Sequence, residues 1–168
     1  MSKYKGEVFD YAIDVETGER KLVHHGYNLV VDTASVLICC LMKGQAGYGG
    51  VKYFAVGKGS PNWSNENPPL PDAPTSKLVA ESFRKEIKPA DIVFLTANNE
   101  VSETPTNRIQ ITTMFEANEA NGELREIGIF GGNATAKADS GLMVNCKIHP
   151  LIFKTAGMKL ERIIRFTF

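Results

Sequence analysis

Four short segments hold residue types that could do chemistry. Gly57-Lys58-Gly59-Ser60 has the flavour of a phosphate loop. Its spacing excludes one, because a phosphate-cradling loop needs a glycine five positions before the glycine preceding the lysine, and Lys52 stands there. A dinucleotide fingerprint also fails, since its third glycine position is Asn62. The glycines read instead as a sharp turn after a strand. His24-His25 could suggest a metal, yet neighbours on a strand point to opposite faces and cannot chelate together. Ser140-Gly141 follows a loop of small residues, not a strand-to-helix elbow, so it is a poor nucleophile site. Cys146 and His149 are an odd number of positions apart and face opposite ways on a regular strand. No zinc-ligand spacing occurs anywhere. The expectation is no catalytic centre, no cofactor and no metal.

A different pattern is formed by Glu81, Arg84, Arg125 and Glu126. Leu78-x-x-Glu81-x-x-Arg84 and Leu124-Arg125-Glu126-x-Gly-Ile-Phe set these charges beside apolar anchors. A partly buried Glu–Arg pair would fix two segments in register at a cost in desolvation. The competing reading is a solvated charged face.

The elements that must carry these residues are mostly strands. Residues 3–15 and 21–31 alternate around the Glu16-Thr-Gly-Glu turn, as a hairpin does. Asp32 or Thr33 offers an N-cap, and Ala34–Lys43 reads as one short buried helix stopped by Gly44. Val51–Val56 is a strand. Ser60–Pro74 holds five of the eight prolines and the single tryptophan, Trp63. A lone tryptophan argues that part of this long loop is pinned. Thr75–Lys88 places Leu78, Val79, Phe83 and Ile87 at helical spacing, with an extended arm as the alternative. Ile92–Leu95, Arg108–Glu116, Leu124–Phe130, Leu142–Phe153 and Lys159–Phe168 read as strands, the fourth interrupted by Pro150. Asn121-Gly122 signals a hairpin turn. Seven to nine short strands without βαβ alternation predict a mainly β, antiparallel, sandwich-like domain spanning residues 1–168, with one or two short helices.

Composition narrows the function classes. The chain has 168 residues, with 19 Lys+Arg against 19 Asp+Glu, giving zero net charge. A nucleic-acid or anionic-membrane binder would carry a basic excess. Zero net charge also permits self-association. Cys39, Cys40 and Cys146 read as buried, reduced thiols of a protein made in the cytoplasm. The start lacks a signal-peptide core, and the Ala34–Met42 apolar run is too short to span a bilayer. The apolar end, Ile163-Ile-Arg-Phe-Thr-Phe, needs a sheet or a neighbour to cover it.

Several segments in order resemble a family. Asn28-Leu-Val-Val leads into the helix, and Tyr53-Phe-Ala-Val-Gly-Lys-Gly follows. Leu78-x-x-Glu81-x-x-Arg84, Arg125-Glu-Ile-Gly-Ile-Phe and Lys154-Thr with the closing strand come next. This series is similar to small tail-associated structural proteins of bacteriophages and phage-derived contractile injection systems, of the tail-collar or fibre-anchoring type. The motifs are short and scattered over about residues 28–168. The long Trp63 loop and the Gly131–Ser140 stretch depart from the pattern. The resemblance implies a non-enzymatic, multimeric part, a trimer or hexamer packed against other tail, sheath, tube or baseplate proteins. It implies a protein made in a bacterial cytoplasm and built into a particle, at the fibre and baseplate end or at the neck and cap end.

On that reading, Trp63, Tyr48 and Tyr53, with Ile164, Phe166 and Phe168 of the last strand, are the expected subunit contacts. The alternative is a receptor- or carbohydrate-binding β-sandwich whose loop aromatics stack on a ligand.

Overall fold

Alternating apolar residues give this chain two faces per strand, and the faces decide the architecture. The computed structural model describes residues 4–168. The strands are β1 (Lys5–Asp14), β2 (Arg20–Val30), β3 (Gly49–Gly57), β4 (Glu81–Glu86), β5 (Ile92–Leu95), β6 (Val101–Ser102), β7 (Arg108–Phe115), β8 (Gly122–Gly132), β9 (Leu142–Lys154) and β10 (Met158–Thr167). One helix, α1 (Asp32–Lys43), follows β2.

All pairings are antiparallel, and the strand order is β4-β3-β8-β9-β2-β1-β10-β7-β5-β6. The sheet folds over on itself at β2. Residues Arg20–Asn28 of β2 pair with β1, while Leu29 and Val30 pair with Cys146 and Asn145 of β9. One layer is therefore β4-β3-β8-β9 and the other β2-β1-β10-β7-β5-β6. The main core lies between them. Phe54, Val56, Ile127 and Ile129 come from the first layer, and Val8, Ile111, Phe115, Leu160, Ile164 and Phe166 from the second. Phe54 and Phe115 meet edge-on across the layers, with ring centroids 5.6 Å apart.

The first layer is buried on its outer face as well. Ala55, Phe130, Met143 and Cys146 form a second cluster there with Leu78 from the loop chain. This explains why β8 reads as a continuous apolar run instead of an alternating one: loops cover its back.

Several expectations need correction. Among the described residues ten strands form, the two beyond the eight segments read from sequence being β4 and short β6, the latter between Leu95 and Arg108. Thr75–Lys88 is not a helix. The extended alternative holds instead: Leu78 belongs to a loop that covers the outer cluster, Glu81–Glu86 is edge strand β4, and Phe83 and Ile87 pack on the main core while Val79 is exposed. Asn121-Gly122 does not close a hairpin, because β7 pairs with β10 and β5, not with β8. Neither Asp32 nor Thr33 caps α1. Val31 holds the N-cap position without a side-chain bond, and the Thr33 hydroxyl donates to Met143 O at 2.5 Å. The Asp32 N–H instead donates to Ala73 O of the loop, at 2.9 Å. Gly44 ends the helix in the left-handed conformation as expected, at φ 66°. Cys146 is buried, but Cys39 is exposed and Cys40 half-buried, because the helix packs by one stripe only.

Candidate functional site

Three features could carry function: the pinned Pro-rich loop, a buried polar row inside the sandwich, and an apolar cleft beside α1.

The loop is tied down by two adjacent charges. The strand register is irregular between Leu124 and Glu126, opposite the Pro150 stretch of β9, and both Arg125 and Glu126 bond to the loop. Glu126, 1% exposed, accepts N–H bonds from Gly59 at 3.1 Å, Val79 at 2.9 Å and Ala80 at 2.7 Å. One carboxylate thus fastens the start and the end of the loop. Arg125 donates to Asn65 Oδ1 at 2.7 Å, and the same oxygen accepts the Leu151 N–H at 3.3 Å. The Trp63 indole packs against Gly59. A Cβ at Gly59, where φ is +60°, would sit 2.1 Å from the indole, and one at Gly57 would sit 2.4 Å from Glu126 Oε1. The Gly-Lys-Gly segment is therefore shaped for an indole and a carboxylate of its own chain.

Glu81 and Arg84 do pair, with Nε to Oε1 2.5 Å and Nη2 to Oε2 2.8 Å. Residues three apart on a regular strand face opposite ways. Here the register shift opposite Val56 and Gly57 restores the common face. Arg84 also donates to Thr135 O at 2.8 Å and stands 4.7 Å over the Phe130 ring. The pair fastens the loop between β8 and β9, not two strands to each other. Ser140 is consumed in the same place, its hydroxyl 2.6 Å from Lys137 O.

The buried row was not foreseen. Asp10 pairs in register with His24 on one side and Arg162 on the other, and Arg162 pairs with Thr113. Asp10 and Arg162 are both 0% exposed, with Nε to Oδ1 3.3 Å. His24 Nδ1 lies 3.0 Å from Asp10 Oδ2. His149 reaches in from the other layer, with Nε2 3.1 Å from Arg162 Nη2. Burial opposes the Asp10 charge, but Arg162 and the His24 bond outweigh it and hold the carboxyl below its ordinary range. Burial, reinforced by the Arg162 charge, pushes His149 down to about 3, so it stays neutral. A neutral His and a committed ion pair make a register lock, not an acid–base couple. The signal was present in sequence: Asp10 shares parity with Val8, and Arg162 with Leu160 and Ile164. Opposite charges on the apolar parity of two strands should be read as partners. Cys146 lies away from this row, in the outer cluster, where burial and the Glu126 charge push its thiol up to about 12. Among the described residues no group of three or more His, Cys, Asp or Glu is placed to hold a metal.

The apolar cleft is the mouth where the two layers part. Its volume is about 310 Å³. Ala34, Leu37, Ile38 and Leu41 of α1 form one wall, and Val51, Ile92, Ile109, Val144 and Phe168 complete it. Leu41 is 46% exposed, and Met42, one turn beyond Ile38, is 84% exposed.

The expected contact residues divide. Phe168 lines the cleft. Trp63, Tyr48 and Tyr53 are half-buried, Trp63 in the loop, Tyr48 beside Gly132 and Tyr53 below Arg84. Ile164 and Phe166 are removed from the candidates, because they face the opposite layer and sit in the chain's own core at 0% and 1% exposure. Strand β10 is paired on both sides, so it offers no free edge. No described helix is long and apolar enough to cross a membrane. No family model matches the chain, and no curated protein matches it.

Proposed function

We propose that this chain is a non-enzymatic structural subunit that assembles symmetrically by protein–protein contact. The observation that carries the reading is the apolar cleft between α1 and the open end of the sandwich. A β scaffold displays an apolar hollow walled by Leu37, Ile38 and half-exposed Leu41 of α1, and such a feature is characteristic of a contact surface. The tied loop adds a second shaped surface, held by Arg125 and Glu126. The ordered motifs in residues 28–168 favour a place in a phage-like contractile tail or injection particle, as an adaptor at the fibre and baseplate end or at the neck and cap end. Its partners are then other copies of itself and neighbouring tail proteins. Mass spectrometry of particles purified from the producing bacterium tests this. The chain should be present at a copy number that matches the particle's rotational symmetry. Its absence from particles whose tube and sheath proteins are detected would contradict the reading.

One observation favours the receptor- or carbohydrate-binding alternative. Tyr27 is 71% exposed and borders two hollows, one shared with Glu7 and Arg165 and one with Asn28. An exposed aromatic beside charged and amide groups suits a hydroxylated ligand. Glycan binding abolished by Tyr27→Ala would support it.

A further inference from the structure

We propose that the wedge where β2 and β9 part is a site for a small aldehyde, which Lys147 takes up as a Schiff base with His24 as the base beside it. This site is separate from the apolar cleft and does not depend on assembly. Uptake without turnover is compatible with a non-enzymatic subunit.

The wedge follows from the strand register. β2 pairs with β9 at Leu29–Cys146 and Val30–Asn145 and not before. Ahead of Leu29, β2 runs with β1, and beyond Cys146, β9 runs with β8. The two strands therefore splay, and side chains on their inner faces share the gap. Lys147 is in register with core residue Ile127, which puts it on the inner face of β9. Gly26 is in register with fully buried Val8. A Cβ at Gly26 would sit 3.3 Å from Lys147 Nζ and 3.5 Å from His24 Nε2, so both nitrogens border the space that the glycine leaves. Gly26 keeps the gap free of a side chain, which suits a small ligand.

Lys147 is half-buried, and among the described residues nothing accepts a hydrogen bond from its Nζ, which still reaches solvent. The other polar groups of the wedge are engaged. Asp10 of β1 faces His24 Nδ1 at 3.0 Å and Arg162 Nε of β10 at 3.3 Å. Arg162 Nη2 lies 3.1 Å from His149 Nε2, and His149 Nδ1 lies 2.7 Å from Pro150 O. With His24 Nδ1–H turned to the Asp10 carboxylate, the lone pair of Nε2 is left for the gap. Burial pushes the Lys147 ammonium towards the neutral amine, and the Asp10 charge opposes this only in part. Asp10 and Arg162 offset each other, so a neutral electrophile enters without burying a further charge.

A desolvated lysine of this kind is suited to carbonyl chemistry. The amine attacks the carbonyl carbon, and a C–N bond forms as the C=O π pair moves to oxygen. His24 Nε2 passes the two protons shed by nitrogen, in turn, to that oxygen, which leaves as water when the C=N bond closes. No oxidant or reductant is needed.

Reductive labelling of the full chain with propionaldehyde and cyanoborohydride tests this. At about pH 6.5 ordinary lysines are almost wholly protonated. Peptide mapping should show Lys147 gaining a propyl group at least about tenfold faster than Lys58, because each unit by which an amine's pKa falls gives tenfold more neutral amine. Lys58 is exposed and serves as the control within the same molecule. In urea the two rates should become equal. His24→Gln, its fold checked by Trp63 emission, should cut the Lys147 rate at least about tenfold and leave the Lys58 rate unchanged. A native Lys147 labelled no faster than Lys58, a preference that persists in urea, or one that survives a folded His24→Gln would overturn the proposal. Should His24→Gln fail to fold, the first two comparisons decide.

Discussion

Glu126 Oε1 accepts the Ala80 N–H at 2.7 Å, at the far foot of a loop whose near foot, Gly59, bonds to the same oxygen. A long loop in a small β domain is thereby made a fixed surface. Charge-assisted bonds of this kind are stronger than neutral ones, and a buried N–H left unpaired is costly. Glu126→Ala should lower stability by about 3 kcal/mol, read from the urea midpoint. Trp63 is the single tryptophan, so its emission should shift to the red in the same variant. An unchanged spectrum would show that Glu126 does not hold the loop.

Asp10 and Arg162 should behave as a buried pair. Asp10→Ala leaves a buried guanidinium without its counter-charge and should cost about 3–5 kcal/mol. Asp10→Leu with Arg162→Leu should recover most of that loss. A double-mutant cycle checks it, and simple additivity would contradict the pairing.

Stability should fall on acidification through His149. The unfolded chain takes up a proton near the ordinary histidine value of 6.5, while the folded ring, at about 3, does not. Between those values the unfolded state binds more protons, so stability drops by up to roughly 1.4 kcal/mol per pH unit as pH falls. Asp10, held below the usual carboxyl range, adds a further loss only once pH falls below its unfolded value. Urea midpoints at a series of pH values should flatten above pH 4 in His149→Gln. An equal slope in both proteins would assign the effect elsewhere.

The thiols should separate cleanly. Cys39 is exposed and should react with a thiol reagent in the native protein. Cys146, buried and pushed up to about 12, should react only on unfolding. Rapid native labelling of Cys146 would contradict its place under the loop.

Much of the fold was legible because local signals agreed with tertiary ones. The α1 helix, the Gly44 stop and the alternation of Arg108–Phe115 are present in the structure, but the expected burial of α1 is not, since only Ala34 and Leu37 are buried. Where they failed, a segment served two burial sites, as Leu78 and Phe83 do, or an irregularity broke the parity. The shift opposite Val56 and Gly57 hides the Glu81–Arg84 pairing, whereas the odd spacing of Cys146 and His149 does set them on opposite faces. The apolar cleft had no sequence signature. Its lining comes from α1, β3, β5, β7, β9 and the last residue, positions that only the folded sheet brings together.

The mass of the purified protein in solution, by light scattering behind size exclusion, tests the assembly reading most directly. The account predicts a closed oligomer at three or six times the 18.4 kDa monomer mass, reduced to monomer by a charge in the cleft such as Leu41→Asp. A monomer at every concentration tested, indifferent to that substitution, would contradict it.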